Sequence, residues 1–157
     1  MEQYQFPVGL TEHSQRLSMT GMEFVGAMGN KTLPMPPMAE SLPVIPHSFE
    51  LGIVEFRATS EDRFANPMHT THGGWALSMI DTATAMAAYT TLKRGESLVT
   101  LDTSGKFIRP ITPKLGELRI IGKVISRGRT IITIEGRIED LNGKIYVYGN
   151  STCQIIS

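Results

Sequence analysis

The chain has 157 residues, 15 basic against 15 acidic side chains and a formal net charge of zero. That length fits one domain with one proper core, and the lack of a basic excess argues against a nucleic-acid binder. A single cysteine, Cys153, excludes an internal disulfide and suits a reducing compartment. The opening MEQYQFPVGL has neither the basic nor the apolar region of a signal peptide. No apolar run approaches the ~20 residues of a membrane span. A soluble, cytoplasmic protein without membrane or nucleic-acid partners is therefore expected.

Residues 1–46 read as an arm. Met19, Met22, Val25 and Met28 recur every three residues, which predicts one amphipathic helix ending near Gly29-Asn30. Pro34, Pro36, Pro37, Pro43 and Pro46 follow and disfavour regular helix or central strand. Met35, Met38, Leu42 and Val44 between them favour a strap packed on the body over a linker, since Met adapts to irregular gaps.

The body, 47–157, begins with one strand-like alternation over 47–60, with Phe49, Leu51 and Ile53 opposed to Ser48, Glu50 and Gly52. Next comes the stretch the fold is organised around, Asn66 to Leu92. A polar loop runs into Gly73-Gly74, and these open a long apolar helix closed by Lys93-Arg94-Gly95. With no wide polar face, this helix is expected to be wrapped on most sides. Four strands follow, at 98–109, 117–126, 130–141 and 144–156, with tight turns at Arg127-Gly128-Arg129 and Asn142-Gly143. The layout is α+β, one helix on one sheet with the last four strands as an antiparallel meander.

Asp81 is the only acidic or basic residue between Gly73 and Leu92. Burying a carboxylate on an apolar helix is costly unless it is paired, and such groups cluster at functional sites. It reads as a general base or a nucleophile; a backbone-bonded structural aspartate is the bland alternative. Gly73 and Gly74 stand where helix N–H groups lack intrahelical partners and the macrodipole is positive. They suit an oxyanion donor, or simply a tight turn. Eight residues of helix separate Gly73 from Asp81 by roughly 12 Å, too far for both to serve one carbonyl. If both act, a second subunit completes the site, Asp81 of one chain facing Gly73 of the other.

Asn66 either bonds the attacking water or fixes the loop. His69 and His72 lack a third ligand at suitable spacing, so no metal is expected, and His72 more naturally positions Gly73. Thr100 holds the water or follows β propensity. Arg109, Arg127 and Arg129 are candidate phosphate ligands or solvated turn residues. Trp75, Met68 and Met79 line an acyl pocket or belong to the core.

The loop Asn66-x-x-His69-x-x-His72-Gly73-Gly74 with Asp81 resembles the hotdog-fold acyl-CoA thioesterases, in their PaaI-like (phenylacetate-pathway) branch. Phe107-Ile108-Arg109-Pro110, Ser126 to Thr130, Asp140 to Lys144 and the arm's Leu33 to Glu40 extend the similarity over nearly the whole chain. The resemblance implies a hotdog fold, a curved antiparallel sheet wrapped round one long helix, assembled as a homodimer and often a homotetramer. It implies hydrolysis of acyl-CoA without metal or organic cofactor. The family's carboxylate falls on Asp81, its oxyanion donor on Gly73, its loop residues on Asn66 and His72, and its strand hydroxyl on Thr100. Gly74, Trp75, Met68 and the three arginines are the substrate-binding candidates, with an aryl or medium-chain acyl group favoured. The alternative is a non-catalytic acyl-CoA-binding or sensor protein of the same fold. An enoyl-CoA hydratase is disfavoured because no His follows Asp81.

Overall fold

The computed structural model describes residues 5–156; the first four residues of the arm and Ser157 lie outside them. The alternation near residue 50 folds as two strands, β1 (Ile45–Glu50) and β2 (Ile53–Thr59), rather than one. Gly52, at φ 78°, takes the left-handed conformation of the turn between them. Because the alternation runs through so short a turn, the sequence does not reveal it.

The long helix, α4 (Gly73–Tyr89), leads to β3 (Ser97–Phe107), β4 (Glu117–Arg127), β5 (Ile131–Glu139) and β6 (Ile145–Ile156). All six strands form one antiparallel sheet in the order β1-β2-β4-β5-β6-β3. Only β4-β5-β6 is a meander. The expected four-strand meander fails at β3, which α4 carries past the sheet to pair with β6 at its far edge. The segment holding Pro110 and Pro113 then returns the chain to β4.

α4 lies very close to the sheet, and four glycines make the room. Gly122, Gly136, Gly149 and Gly105 pair in register across β4, β5, β6 and β3. A Cβ on Gly122 would stand 2.2 Å from the Ala83 carbonyl oxygen, and one on Gly136 2.8 Å from Thr84 Cγ2. Ile80, Ala83, Thr84 and Ala87 are wholly buried in this contact. The helix is less wrapped than its composition suggests. Gly74 is exposed, and Leu77, Ser78, Asp81, Thr82 and Ala85 form a half-buried stripe beside it. Edge strand β3 presents Val99, Leu101 and Phe107 to solvent.

In the arm, α1 (His13–Leu17) precedes α2 (Gly21–Gly29), which Thr20 and Glu23 start with a reciprocal capping box. Phe24 of α2 meets Tyr89 at the end of α4, ring centroids 5.1 Å apart. A four-residue α3 (Met38–Ser41) forms despite the prolines, because Pro36 and Pro37 precede it where a helix start tolerates them. Leu33, Met35, Ala39 and Val44 join the same hydrophobic core as α4 and the sheet. Among the described residues no helix is long and apolar enough to cross a membrane.

Candidate active site

The loop before α4 is fixed by its own polar groups. Asn66 Oδ1 accepts from the N–H groups of Met68 (2.9 Å) and Thr70 (3.2 Å), while its Nδ2 donates to Thr70 Oγ1 at 2.8 Å. His69 takes a left-handed backbone (φ 60°) at the turn. These bonds describe the loop-fixing reading of Asn66. Thr71 N–H donates to the Ile111 carbonyl and His72 N–H to that of Phe64, tying the loop to the body.

His72 caps α4: its Nδ1 accepts the Gly74 N–H at 2.9 Å. Trp75 N–H donates to the His72 carbonyl. Gly73 N–H has no acceptor among the described residues. Gly73 lines a groove of about 300 Å³ together with Asn66, Thr71, Phe107, Arg109, Ile111 and Val147 among others. Phe107 lies over Gly73 so closely that a Cβ there would stand 3.0 Å from its ring. The groove thus has a helix-start donor, apolar walls and the Arg109 cation. Its lining includes no carboxylate.

The carboxylate lies two turns further along α4. Asp81 is half-buried on the open stripe, and its Oδ1 accepts from Thr103 Oγ1 of β3 at 2.9 Å. A β-bulge between Thr100 and Asp102 shifts the register, so Thr100 and Thr103 both pair with β6 residues of the buried, helix-facing side, Cys153 and Ser151. Thr100 Oγ1 lies 3.9 Å from Cys153 Sγ. The Cys153 thiol is held above its ordinary value, first by burial, with Thr100 opposing and the charges of Asp81 and Asp102 adding to the rise.

The remaining candidates are scattered. Trp75 is buried, its ring 6.3 Å from that of Phe64, at a second hollow shared with Leu42, His72 and Ser78. Met68 is exposed at the loop tip and Met79 is core. Arg109 donates from Nη1 to the Ile145 carbonyl. Arg127 is paired with Glu96 at 2.8 Å, and Arg129 is exposed. Among the described residues no three His, Cys, Asp or Glu side chains converge to hold a metal. Sequence reasoning missed Thr103 and Phe107. The first is hidden by the bulge, and the second entered only through the Phe107-Ile108-Arg109-Pro110 similarity, with no role attached to it.

Residues 68–147, 80 of the 157, match the thioesterase superfamily. No curated protein matches the chain. Among solved structures, a phenylacetic acid degradation-related protein from Ralstonia eutropha JMP134 is 28% identical, with a TM-score of 0.76 over 83% of this chain and 98% of its own. The PaaI protein of the E. coli phenylacetic acid degradation operon is 22% identical, with a TM-score of 0.75 over 90% of this chain and 96% of its own. A Streptococcus mutans UA159 protein solved bound to acetyl-CoA is 22% identical, with a TM-score of 0.66 over 73% of this chain and 89% of its own. With its antiparallel sheet packed on one long helix, the chain has the hotdog fold seen in PaaI and belongs to the thioesterase superfamily.

Proposed function

We propose that this thioesterase hydrolyses an aryl- or medium-chain acyl-CoA at a site built by two copies of the chain. One observation carries the reading. The groove at the start of α4 holds a free N–H donor but no carboxylate, while the isolated Asp81 sits roughly 12 Å away on a half-open stripe beside an edge strand. Edge strands with unpaired backbone groups are ordinarily paired or covered. Pairing β3 with β3 of a second copy about a two-fold axis brings each Asp81 towards the other chain's groove.

In that site the thioester oxygen accepts the Gly73 N–H, which is worth roughly 3 kcal/mol as charge develops on it. Asp81 takes a proton from the attacking water, or itself attacks the carbonyl to give an acyl-aspartate that water opens. The tetrahedral adduct collapses, the C–S bond breaks, and the coenzyme A sulfur leaves as thiolate and takes up a proton. Phe107, Ile111 and Val147 supply apolar surface for the substrate, and Arg109 at the rim suits a phosphate. No step calls for a metal or organic cofactor.

The test is thiol release from a panel of aryl- and straight-chain acyl-CoAs, comparing the native chain with Asp81→Ala. Hydrolysis lost by ~100-fold or more in the variant supports the reading. Activity unchanged in Asp81→Ala would contradict it. A folded protein that binds acyl-CoA without releasing thiol would be a sensor instead.

A further inference from the structure

Three hydroxyls stand in line behind Asp81. Thr103 Oγ1 reaches Asp81 Oδ1 at 2.9 Å, Ser151 Oγ of β6 lies 3.0 Å from Thr103 Oγ1, and Thr84 Oγ1 of α4 lies 2.7 Å from Ser151 Oγ. Thr84 also reaches the Ile80 carbonyl oxygen at 2.8 Å. Thr84 is 0% exposed and Ser151 1%, so water does not complete their bonding. Room for this line is made by Gly136, where a Cβ would stand 2.8 Å from Thr84 Cγ2.

Each hydroxyl has one proton to give, so the direction of the line can be counted. An ionised Asp81 only accepts. Thr103 must then donate to it, Ser151 to Thr103, and Thr84 to Ser151. A carboxyl with its proton on Oδ1 reverses every bond: Thr103 donates to Ser151, Ser151 to Thr84, and Thr84 to the Ile80 carbonyl. In both directions every hydroxyl proton has an acceptor, so neither charge state leaves a buried hydroxyl unsatisfied. Buried networks of this kind rigidify what they hold.

We propose that Thr84, Ser151 and Thr103 form a positioning relay that pins Asp81 Oδ1 and leaves Oδ2 as the atom that works on the thioester. The relay rests on the function proposed for Asp81, and none of its three members needs to touch substrate. Thr103 fixes the carboxylate directly, and the two buried hydroxyls fix Thr103.

The experiment measures kcat and KM for Thr103→Val, Thr84→Val and Ser151→Ala, with Thr103→Ser and Thr84→Ser as hydroxyl-keeping partners. Thermal unfolding of each variant corrects activity for folded protein. On the order of ten-fold loss of kcat is expected in Thr103→Val, and a several-fold loss in the other two, with KM near native. The serine partners keep native kcat. Native kcat in folded Thr103→Val and Ser151→Ala, beside an inactive Asp81→Ala, would overturn the relay alone. Serine partners as impaired as the valine variants would overturn it too, by showing that packing rather than the hydroxyl matters. An active Asp81→Ala would overturn the assignment of Asp81 and the relay with it.

Discussion

His72 Nδ1 accepts the Gly74 N–H at 2.9 Å, and this bond leaves the neighbouring Gly73 N–H as the unclaimed donor at the groove. The cap also fixes the start of α4. His72→Ala is expected to cost about 1 kcal/mol of stability and to lower kcat more than it raises KM, because the Gly73 donor is less well held. Denaturant unfolding and steady-state kinetics on the same preparation check both. A loss confined to stability would leave His72 as a cap only.

Gly73→Ala tests the groove itself. Its backbone conformation does not require glycine, but the added Cβ would stand 3.0 Å from the Phe107 ring. Phe107 is 55% exposed and free to swing, so the fold should persist while the methyl group occupies the approach to the N–H. Activity should fall on the order of 100-fold, as small misplacements of a substrate carbonyl do. The double variant Gly73→Ala/Phe107→Ala should recover part of it if crowding by the ring contributes.

The glycine row is a different kind of requirement. A Cβ on Gly122 meets the Ala83 carbonyl oxygen at 2.2 Å, a backbone atom of α4 that cannot turn aside. Gly122→Ala should therefore destabilise by at least about 3 kcal/mol, at the upper end of overpacking costs. Gly95→Ala is the control: nothing lies within 4 Å of that Cβ, and only its positive φ (81°) resists the change. Equal stability of Gly122→Ala and the native chain would mean that α4 lies further from the sheet.

On the opposite face, Arg119 donates to Glu55 from Nε (3.0 Å) and Nη2 (2.7 Å) and also pairs with Glu139. Both glutamates are buried. The Arg119 hydrogen bond leads in holding Glu55 below its ordinary 4.5; burial opposes it, and the charges of Arg119 and Arg57 assist. A folded value below the unfolded one gives stability that is present above about pH 4.5 and lost as pH falls through the folded value. Arg119→Met leaves Arg57 on Glu55 and Arg137 on Glu139, so it should cost about 1–3 kcal/mol at neutral pH, the loss of hydrogen bonds to buried charges, and it should flatten the acid-induced loss. Urea unfolding at pH 7 and pH 4 gives both quantities. A variant with native stability at pH 7 would remove this network as a support of the sheet.

Local order was legible in the sequence, and long-range order was not. The glycine-opened helix, the three-strand meander and the Asn142-Gly143 turn rest on neighbours in the chain. The place of β3 at the far edge depends on where α4 delivers it, and Gly105, Gly122, Gly136 and Gly149 become a row only once the strands are in register. Thr103 shows the limit most sharply. Strict alternation sends Thr100 and Thr103 to opposite faces, and only the bulge between Thr100 and Asp102 returns both to the helix side. The Asp81 and Gly73 positions could be picked out because a lone carboxylate and a double glycine stand out against an apolar helix. The partner of Asp81 could not.

The central claim, that Asp81 and Gly73 act from different chains, is tested most directly by subunit complementation. Asp81→Ala and Gly73→Val are purified separately, shown to be folded and poorly active, then unfolded together in equal amounts and refolded. A two-fold dimer predicts that half the dimers are mixed and that each mixed dimer holds one intact site of two, giving about one quarter of native activity. A mixture that exchanges subunits yet stays as inactive as its components would contradict the shared site.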